Sequence, residues 1–156
     1  MTNFFNPSGA ALTSNKDDWE TPSLLFRKLN EKYSFDLDAA ASDENHKVDN
    51  YFTANDDALK QKWGGNVFVN PPYGRNIRVW VEKAYQESVR DPNRKIVMLV
   101  PSRTDTSYWH DFIFPHADIE FIRGRLKFEV NGQAGNPAPF PSAIVVFGKE
   151  ETCLKQ

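Results

Sequence analysis

The stretch NVFVNPPYGRNIRVWVEKAYQESV, residues 66–89, decides the fold because it joins a strand pattern, a stiff loop and a helix pattern without interruption. Residues 66–69, NVFV, predict a strand with a short apolar run at 67–69. The two prolines after it fix their own φ angles and favour an extended backbone in the residue before each of them. From Asn76 onward the apolar residues recur at helical spacing, along a stripe made of Ile77, Trp80, Val81, Ala84 and Tyr85. This order of strand, loop and helix is typical of an α/β sheet.

The segments that follow extend the same architecture. KIVMLVP, residues 95–101, is a continuous apolar run, which predicts a strand covered on both faces. DTSYWHDFIF, residues 105–114, predicts a helix after it. Three further strands are predicted with no helix between them: ADIEFI at 117–122, RLKFEV at 125–130 and SAIVVFG at 142–148. The sequence therefore predicts a single-domain, doubly wound mixed α/β sheet that ends in an antiparallel edge.

The first third of the chain predicts two helices around a short strand. Thr21 and Pro22 have the signature of an N-cap and first turn, for a helix that ends near Tyr33. SFDLDAAAS, residues 34–42, predicts a strand that ends at Asp38, and Ser42 is expected to cap a further helix over residues 42–52. The expected organisation is a flexible N-terminal arm at 1–15, one domain at 16–150 and a tail at 151–156.

Composition excludes several classes of protein. The 156 residues are 40% apolar and 26% charged, which is typical of a globular protein. No apolar run is long enough for a membrane span and no signal-peptide pattern is present, so a cytoplasmic protein without a membrane partner is expected. The single cysteine, Cys153, excludes an intramolecular disulfide, and three scattered histidines predict no metal site. The net charge is −2, and residues 63–156 hold the positive excess.

Polar residues follow three of the predicted strands. They are Asp38, the loop Asn70–Tyr73 and the segment 101–105. Ligands of open α/β sheets bind outside the carboxyl ends of the strands, so these segments predict a site. The side-chain oxygen of Asn70 beside the carbonyl of Pro71 would offer two acceptors to an exocyclic amino group, and the ring of Tyr73 offers a flat face. The loop therefore predicts a planar amine as substrate.

An ordered set of motifs resembles a known family. NPPY is the signature of amino-methyltransferases, and it is accompanied by DDWETP (17–22), FDLDAAASDEN (35–45), DDAL (56–59), LVPSRTDTSYWH (99–110), IRGRLKF (122–128) and PSAIVVF (141–147). Together they resemble the phage-type DNA N6-adenine methyltransferases, the Dam family of bacteriophages and prophages, from about Asp17 to Gly148. The resemblance implies a Rossmann-like fold and an S-adenosyl-L-methionine-dependent enzyme of the bacterial host cytoplasm. Such an enzyme transfers a methyl group directly to the N6 amine of a flipped-out adenine, held by Asn70, Pro71, Pro72 and Tyr73.

The resemblance also implies cofactor contacts. In such enzymes an acid at a strand end binds the ribose hydroxyls, for which Asp38 is the candidate, and a polar residue binds the adenine amine, for which Asp56 or Asp57 is the candidate. The chain departs from the pattern because it has no Gly-rich loop. Either DLDAAAS (36–42) replaces that loop, or it is the later acid-bearing strand and WETP (19–22) contacts the methionine end. The candidate cofactor ligands are Trp19, Thr21, Pro22, Asp38, Ala39, Ala40, Asp56, Asp57 and Asn70.

Double-stranded DNA is the expected partner, bound by a monomer or weak dimer. The candidate DNA contacts are Arg75, Arg103, Thr104, Asp105, Arg123 and Arg125. Arg123 and Arg125 could clamp a phosphate or form surface salt bridges instead. The loops at 101–107 and 131–141 are expected to read a short or relaxed recognition sequence. Two alternatives stay open: the acceptor could be a protein glutamine or an RNA amine, or the chain could bind nucleic acid without catalysis.

Overall fold

A computed structural model of the protein describes residues 19–148. The predicted arm, the predicted tail and Cys153 lie outside the described residues, and the domain boundaries stay predictions. In order, the chain forms α1 (Ser23–Tyr33), β1 (Leu37–Asp38), two 3₁₀ turns (Ala54–Asp56 and Ala58–Lys60), β2 (Val67–Val69), α2 (Ile77–Arg90), β3 (Ile96–Pro101), α3 (a π-helical turn at Trp109–Ile113 continued by Phe114–His116), β4 (Asp118–Phe121), β5 (Glu129–Val130), β6 (Gln133–Ala134) and β7 (Ser142–Phe147).

The central sheet is mixed and has the strand order β1-β2-β3-β7-β4. β1, β2 and β3 are parallel, and the connection from β2 to β3 runs through α2. β7 is antiparallel to both of its neighbours, β3 and β4. The predicted mixed α/β sheet with an antiparallel edge is confirmed. Because β1 and β2 are parallel neighbours, Asp38 and Asn70 leave the sheet at the same end.

Both faces of the sheet are covered. Successive side chains of a strand point to opposite faces, and in β2 this sends Val67 and Val69 to one face and Phe68 to the other. The first face packs against α2 and α3, and the second packs against α1 and the segment 126–140. All six residues of β3 are buried, as the continuous apolar run at 95–101 predicts. Among residues 19–148, none of the helices has both the length and the apolar character of a bilayer span.

The predicted helix at 42–52 is wrong. Ser42 instead closes a tight turn, in which Asn45 N donates to Ser42 Oγ at 3.1 Å and Ser42 N donates to the Asn45 side chain at 2.8 Å. The chain then returns along β1, where Asp38 N donates to Asn50 O and Phe52 N donates to Asp38 O, both at 3.0 Å. β1 is the first strand of the sheet, and its outer backbone groups take these partners from the segment that would otherwise form the helix.

Two other expectations are corrected in part. Only Glu129–Val130 of the predicted strand RLKFEV forms a strand, and it pairs in a separate hairpin with β6 rather than in the central sheet. Asn131 and Gly132 form the tip of this hairpin, with φ angles of 53° and 79° that suit an Asn-Gly turn. At the start of α1, the N-cap is Pro22 rather than Thr21, and the helix begins at Ser23.

Candidate active site

A cleft of about 1080 Å³ opens at the carboxyl ends of β1 and β2. Its walls come from six parts of the chain between residues 19 and 80. They are residues 19–21 before α1, residues 38–47 from the end of β1, residues 52–58 around the 3₁₀ turns, Phe68 in β2, the loop 70–76 after β2, and Trp80 in the first turn of α2. The prediction that Asp38 and the NPPY loop meet at one end of the sheet is confirmed by this arrangement, whereas the predicted third strand end, residues 101–105, is outside the lining.

The side chain of Asn70 is held in one orientation. Its Nδ2 donates to the Trp19 carbonyl at 3.1 Å and to Thr21 Oγ1 at 3.0 Å. The carbonyl can only accept, so the nitrogen must be the atom that faces it. No donor among the described residues binds Oδ1, and this atom is not buried. It therefore faces the cleft that Asn70 lines. Asn70 therefore presents a hydrogen-bond acceptor to any ligand there.

The two prolines keep the loop extended next to this acceptor. Pro71 is buried, Pro72 is exposed, and both line the cleft. The Pro71 carbonyl accepts no backbone hydrogen bond within the described part of the chain. Gly74 has a φ of 126°, in a region that favours glycine, and it turns the chain from the loop toward α2. The loop thus offers a second acceptor close to Asn70.

Tyr73 is fixed by both its hydroxyl and its ring. The hydroxyl donates to the Leu99 carbonyl of β3 at 3.1 Å. The ring makes edge-to-face contacts with Trp19, Phe128 and Phe140, at centroid distances of 6.5, 6.1 and 5.6 Å. Burial raises the pKa of Tyr73 above its usual value, so the phenol stays neutral. The half-buried ring is a rigid, uncharged surface at the cleft wall.

Asp38 is a buried acid at the carboxyl end of β1. Its side chain is in a residue only 3% exposed, and Oδ2 accepts a hydrogen bond from Lys47 N at 2.9 Å. Burial raises the pKa of Asp38 to about 6, although the backbone amides of Lys47 and Ala40 oppose the rise. An acid that lies in a cleft, and whose burial disfavours its ionised form, is typical of a functional group. Ala39 and Ala40 follow it along the lining with minimal bulk.

Asp38→Asn is expected to stabilise the protein at neutral pH. The folded-state pKa lies above the unfolded value, so ionisation of Asp38 lowers stability as the pH rises from about 4 through about 6. The shift corresponds to roughly 2–3 kcal/mol, which the amide would recover at pH 8. Thermal unfolding of both proteins at pH 4 and pH 8 measures this. A variant that is no more stable than the wild type at pH 8 would contradict the penalty.

The structure distinguishes Asp56 from Asp57, the two candidates for binding the adenine amine of the cofactor. Asp56 caps the first 3₁₀ turn, since its Oδ2 accepts from Thr53 N at 2.8 Å and from Thr53 Oγ1 at 3.1 Å, and it does not line the cleft. Asp57 does line the cleft, in a left-handed conformation with φ of 54°, 3.7 Å from Lys60 Nζ. Trp19, Thr21 and Asn70 also line the cleft, whereas Pro22 does not.

Most of the candidate DNA contacts lie outside the cleft itself. Arg75 is exposed and lines its rim. The guanidinium of Arg103 lies 5.5 Å from the ring centre of Phe140, which brings it next to the aromatic group around Tyr73. Arg125 Nη1 donates to the Ala138 carbonyl at 3.3 Å. Three exposed residues complete the set: Thr104 and Asp105 before α3, and Arg123 after β4.

Sequence reasoning missed several lining residues. Lys47 and Phe52 lie in the segment expected to be helical, and Trp80 was expected to be a core residue of α2. The position of Trp80 one turn after the NPPY loop was the only local signal for its place in the cleft, because the others depend on how distant segments fold back. Within residues 19–148, no group of three or more His, Cys, Asp or Glu side chains could hold a metal ion.

Comparison with known proteins agrees with this geometry. Residues 9–152 match the family described as DNA N-6-adenine-methyltransferase (Dam). A DNA N-6-adenine-methyltransferase of Escherichia phage T1 is 33% identical over 120 residues, which cover 75% of this chain and 49% of that protein. Another, of Haemophilus phage HP1 (strain HP1c1), is 34% identical over 142 residues, which cover 86% of this chain and 80% of that protein. The chain thus spans about half the length of the first relative. The predicted resemblance is confirmed, and the chain belongs to the Dam family of DNA N-6-adenine-methyltransferases.

Proposed function

We propose that the protein transfers a methyl group from S-adenosyl-L-methionine to the N6 amine of adenine in double-stranded DNA. The observation that carries the proposal is the fixed carboxamide of Asn70, whose Oδ1 faces the cleft beside the Pro71 carbonyl. Both relatives are named for methylation of N-6 of adenine in DNA. Family membership and a loop that can accept hydrogen bonds from an amino group support the same substrate.

The two acceptors address the difficulty of the reaction. The lone pair of adenine N6 is delocalised into the ring, so the nitrogen is a poor nucleophile. Hydrogen bonds from N6–H to Asn70 Oδ1 and to the Pro71 carbonyl would localise that pair. They would also stabilise the positive charge that develops on N6 during transfer, because both oxygens are oriented before the reaction begins. The short extended loop gives these groups little freedom to reorganise.

Tyr73 suits a base that has left the helix. An adenine must be flipped out of the duplex to reach a cleft of this kind, at a cost of a few kcal/mol in lost stacking. Stacking on the ring of Tyr73 would offset part of that cost. The hydrogen bond to Leu99 and the packing against Trp19 and Phe140 support this role, since they fix the ring before the base arrives.

The residues of the cleft fit the cofactor. The Asp38 carboxylate is a suitable acceptor for the two ribose hydroxyls, and Ala39 and Ala40 leave room for close approach. Asp57, rather than Asp56, is the acid that could bind the adenine amine of the cofactor. The sulfonium of bound S-adenosyl-L-methionine would supply an electrophilic methyl group.

Asp38→Asn should weaken cofactor binding. In the wild type, cofactor binding should weaken as the pH falls below about 6, where Asp38 becomes protonated.

The strand order favours one of the two alternatives for DLDAAAS, residues 36–42. β1 ends at Asp38 and is the direct parallel neighbour of β2, which ends at the NPPY loop. This supports a Rossmann-like arrangement in which the small residues after Asp38 replace a Gly-rich loop. Residues 19–21 then lie on the opposite wall, beside Asn70. The doubly wound description rests on the helices on both faces of the sheet.

Double-stranded DNA is the proposed partner, approached by the exposed arginines on the cleft side. Arg75 lies at the rim, and Arg103 lies over the aromatic group next to Tyr73. Arg123 and Arg125 are exposed and would contact backbone phosphates. The protein is proposed to act as a monomer or weak dimer in the cytoplasm of a bacterial host.

The function is tested by identifying the methylated product. Purified protein is incubated with methyl-labelled S-adenosyl-L-methionine and, in separate reactions, duplex DNA, RNA of the same sequence or a glutamine-containing peptide. Digestion of the DNA to nucleosides should place the label on N6-methyldeoxyadenosine. Label in cytosine, in RNA or in the peptide, with none in deoxyadenosine, would contradict the proposal. Label in no acceptor would favour a nucleic-acid-binding protein without catalysis.

A further inference from the structure

We propose that Thr21 is a positioning residue, which sets the orientation of the Asn70 carboxamide and does not contact the cofactor. The same inference assigns Glu129, in the hairpin formed by β5 and β6, the role of holding Thr21 in place. The inference rests on the proposed function, because it concerns how Asn70 is prepared to accept a hydrogen bond from the target amine.

The first step of the argument is the geometry at Asn70. A carboxamide turns readily about its last side-chain bond, where the rotational preference is broad. One hydrogen bond, from Nδ2 to the Trp19 carbonyl, leaves part of that freedom. The second bond, to Thr21 Oγ1 at 3.0 Å, engages the other amide hydrogen. With both hydrogens engaged on the protein side, the plane of the amide is fixed and Oδ1 points to the cleft.

The second step is that Thr21 itself has little freedom to move. The residue is only 3% exposed. Its neighbour Glu20 is paired with Glu129 by two backbone hydrogen bonds of 2.9 Å, one in each direction. The Gly132 amide at the hairpin tip also donates to the Glu20 side chain at 3.3 Å. The segment before α1 is therefore tied to the hairpin on one side and to Asn70 on the other.

The third step is the carboxylate of Glu129. Its Oε2 accepts from Ser23 N at 2.9 Å, and its Oε1 accepts from Ser23 Oγ at 3.0 Å. Pro22 has no side-chain oxygen to cap the helix, so Glu129 supplies from another segment the acceptor that an N-cap residue normally provides. A negative charge at this position is also favoured by the helix dipole. Glu129 thus fixes where α1 begins, and with it the two residues that bind Asn70.

The decisive test replaces the Thr21 hydroxyl. Thr21→Val keeps the shape of the side chain and removes the acceptor, whereas Thr21→Ser keeps the hydroxyl. Thr21→Val should lower kcat on duplex DNA roughly tenfold to a hundredfold, as expected when one hydrogen bond that orients a reacting group is lost. The Kd for S-adenosyl-L-methionine, from calorimetry, should stay within about twofold of the wild type. Thr21→Ser should restore most of kcat.

A readout that does not need catalysis accompanies the assay. By NMR, the side-chain amide hydrogens of Asn70 should exchange with solvent more slowly than those of the exposed Asn76, and Thr21→Val should remove that protection. Glu129→Gln should give a smaller loss of both kcat and protection. Its effect should not add fully to that of Thr21→Val, because both act through Asn70. Ser88→Ala, which removes a buried hydroxyl bonded to the Tyr85 carbonyl far from the cleft, is the control and should change neither.

Each contrary outcome has a distinct meaning. A weaker Kd for S-adenosyl-L-methionine with unchanged kcat in Thr21→Val would make Thr21 a cofactor ligand and overturn the inference. Equal losses in the Val and Ser variants would show that shape, not the hydroxyl, matters, and would overturn it as well. If the wild type methylates no DNA, the proposed function fails, and the exchange measurement still decides whether Thr21 orients Asn70.

Discussion

Asn70→Ala is expected to reduce methyl transfer to a small residual rate while cofactor binding survives. The substitution removes Oδ1, one of the two acceptors proposed to stabilise the charge developing on the amine. Loss of one oriented group of this kind typically lowers kcat by roughly 10²–10³-fold. The cofactor-binding residues proposed for the ribose and adenine lie on other segments, after β1 and around the 3₁₀ turns. Single-turnover rates with labelled cofactor, together with calorimetric titration of S-adenosyl-L-methionine, separate the two effects.

Asn66 provides a matched control at the other end of the same strand. Its Nδ2 donates to the Tyr33 carbonyl at 2.6 Å and its Oδ1 accepts from Lys95 N at 2.9 Å, so its role is structural. Asn66→Ala should lower the melting temperature, and kcat of the folded protein should fall far less than in Asn70→Ala. If Asn70→Ala folds normally but no longer binds the cofactor, its assignment to the methylated amine is wrong.

The parts of the fold that sequence predicted correctly are those whose pattern is local. The strand and helix on either side of the NPPY loop each carry their own periodicity, and β3 is marked by an apolar run with no interruption. Asn70 and Asp38 could be assigned to one site for a similarly simple reason. Parallel strands that follow one another in a sheet end at the same edge, so polar residues at both ends converge.

The errors come from segments whose structure is set by distant partners. Residues 50–52 are extended because the backbone of β1 needs hydrogen bonds on its outer side, and no local signal marks that need. Glu129 pairs with Glu20, more than a hundred positions away, instead of joining the central sheet. The same long-range pairing makes Thr21 a neighbour of Asn70, which spacing along the chain could not show. Asp56 and Asp57 are adjacent acids, and only the folded structure shows that the first caps a turn while the second lines the cleft.

Glu87→Ala is expected to destabilise the protein strongly. The Glu87 carboxylate is buried in α2 and accepts hydrogen bonds from Trp63 N, Arg90 and the nearly buried Arg94, whose residue is 6% exposed. Removing it leaves Asp91, whose Oδ2 lies 3.7 Å from Nε, as the one acidic partner of the Arg94 guanidinium among the described residues. Breaking a buried pair in this way costs roughly 3–5 kcal/mol of unfolding free energy. Urea unfolding at pH 7 measures the loss.

The control and the pH dependence make this prediction specific. Glu82→Ala, on the same helix but with only a 3.3 Å contact from Gln86, should change the unfolding free energy by no more than about 0.5 kcal/mol. Burial alone would raise the pKa of Glu87, but hydrogen bonds from Arg90, Trp63 N and Lys83 outweigh it and lower the pKa to about 2. The folded-state pKa is below the unfolded one. The stabilisation is therefore complete above about pH 5 and is lost as the pH falls toward 2.

The network around Glu87 also holds the loop before β2, the strand that leads to the candidate active site. Arg94 Nη1 donates to the carbonyls of Trp63 at 2.7 Å and Gly65 at 3.1 Å. These two hydrogen bonds hold the loop that leads directly into β2. β2 delivers Asn70 to the cleft, so a loosened loop would shift the acceptor as well as destabilise the sheet. Glu87→Ala should thus lower kcat even at temperatures where the variant is fully folded. A variant with wild-type kcat at 15 °C and reduced unfolding free energy would show that the network supports the fold without positioning Asn70.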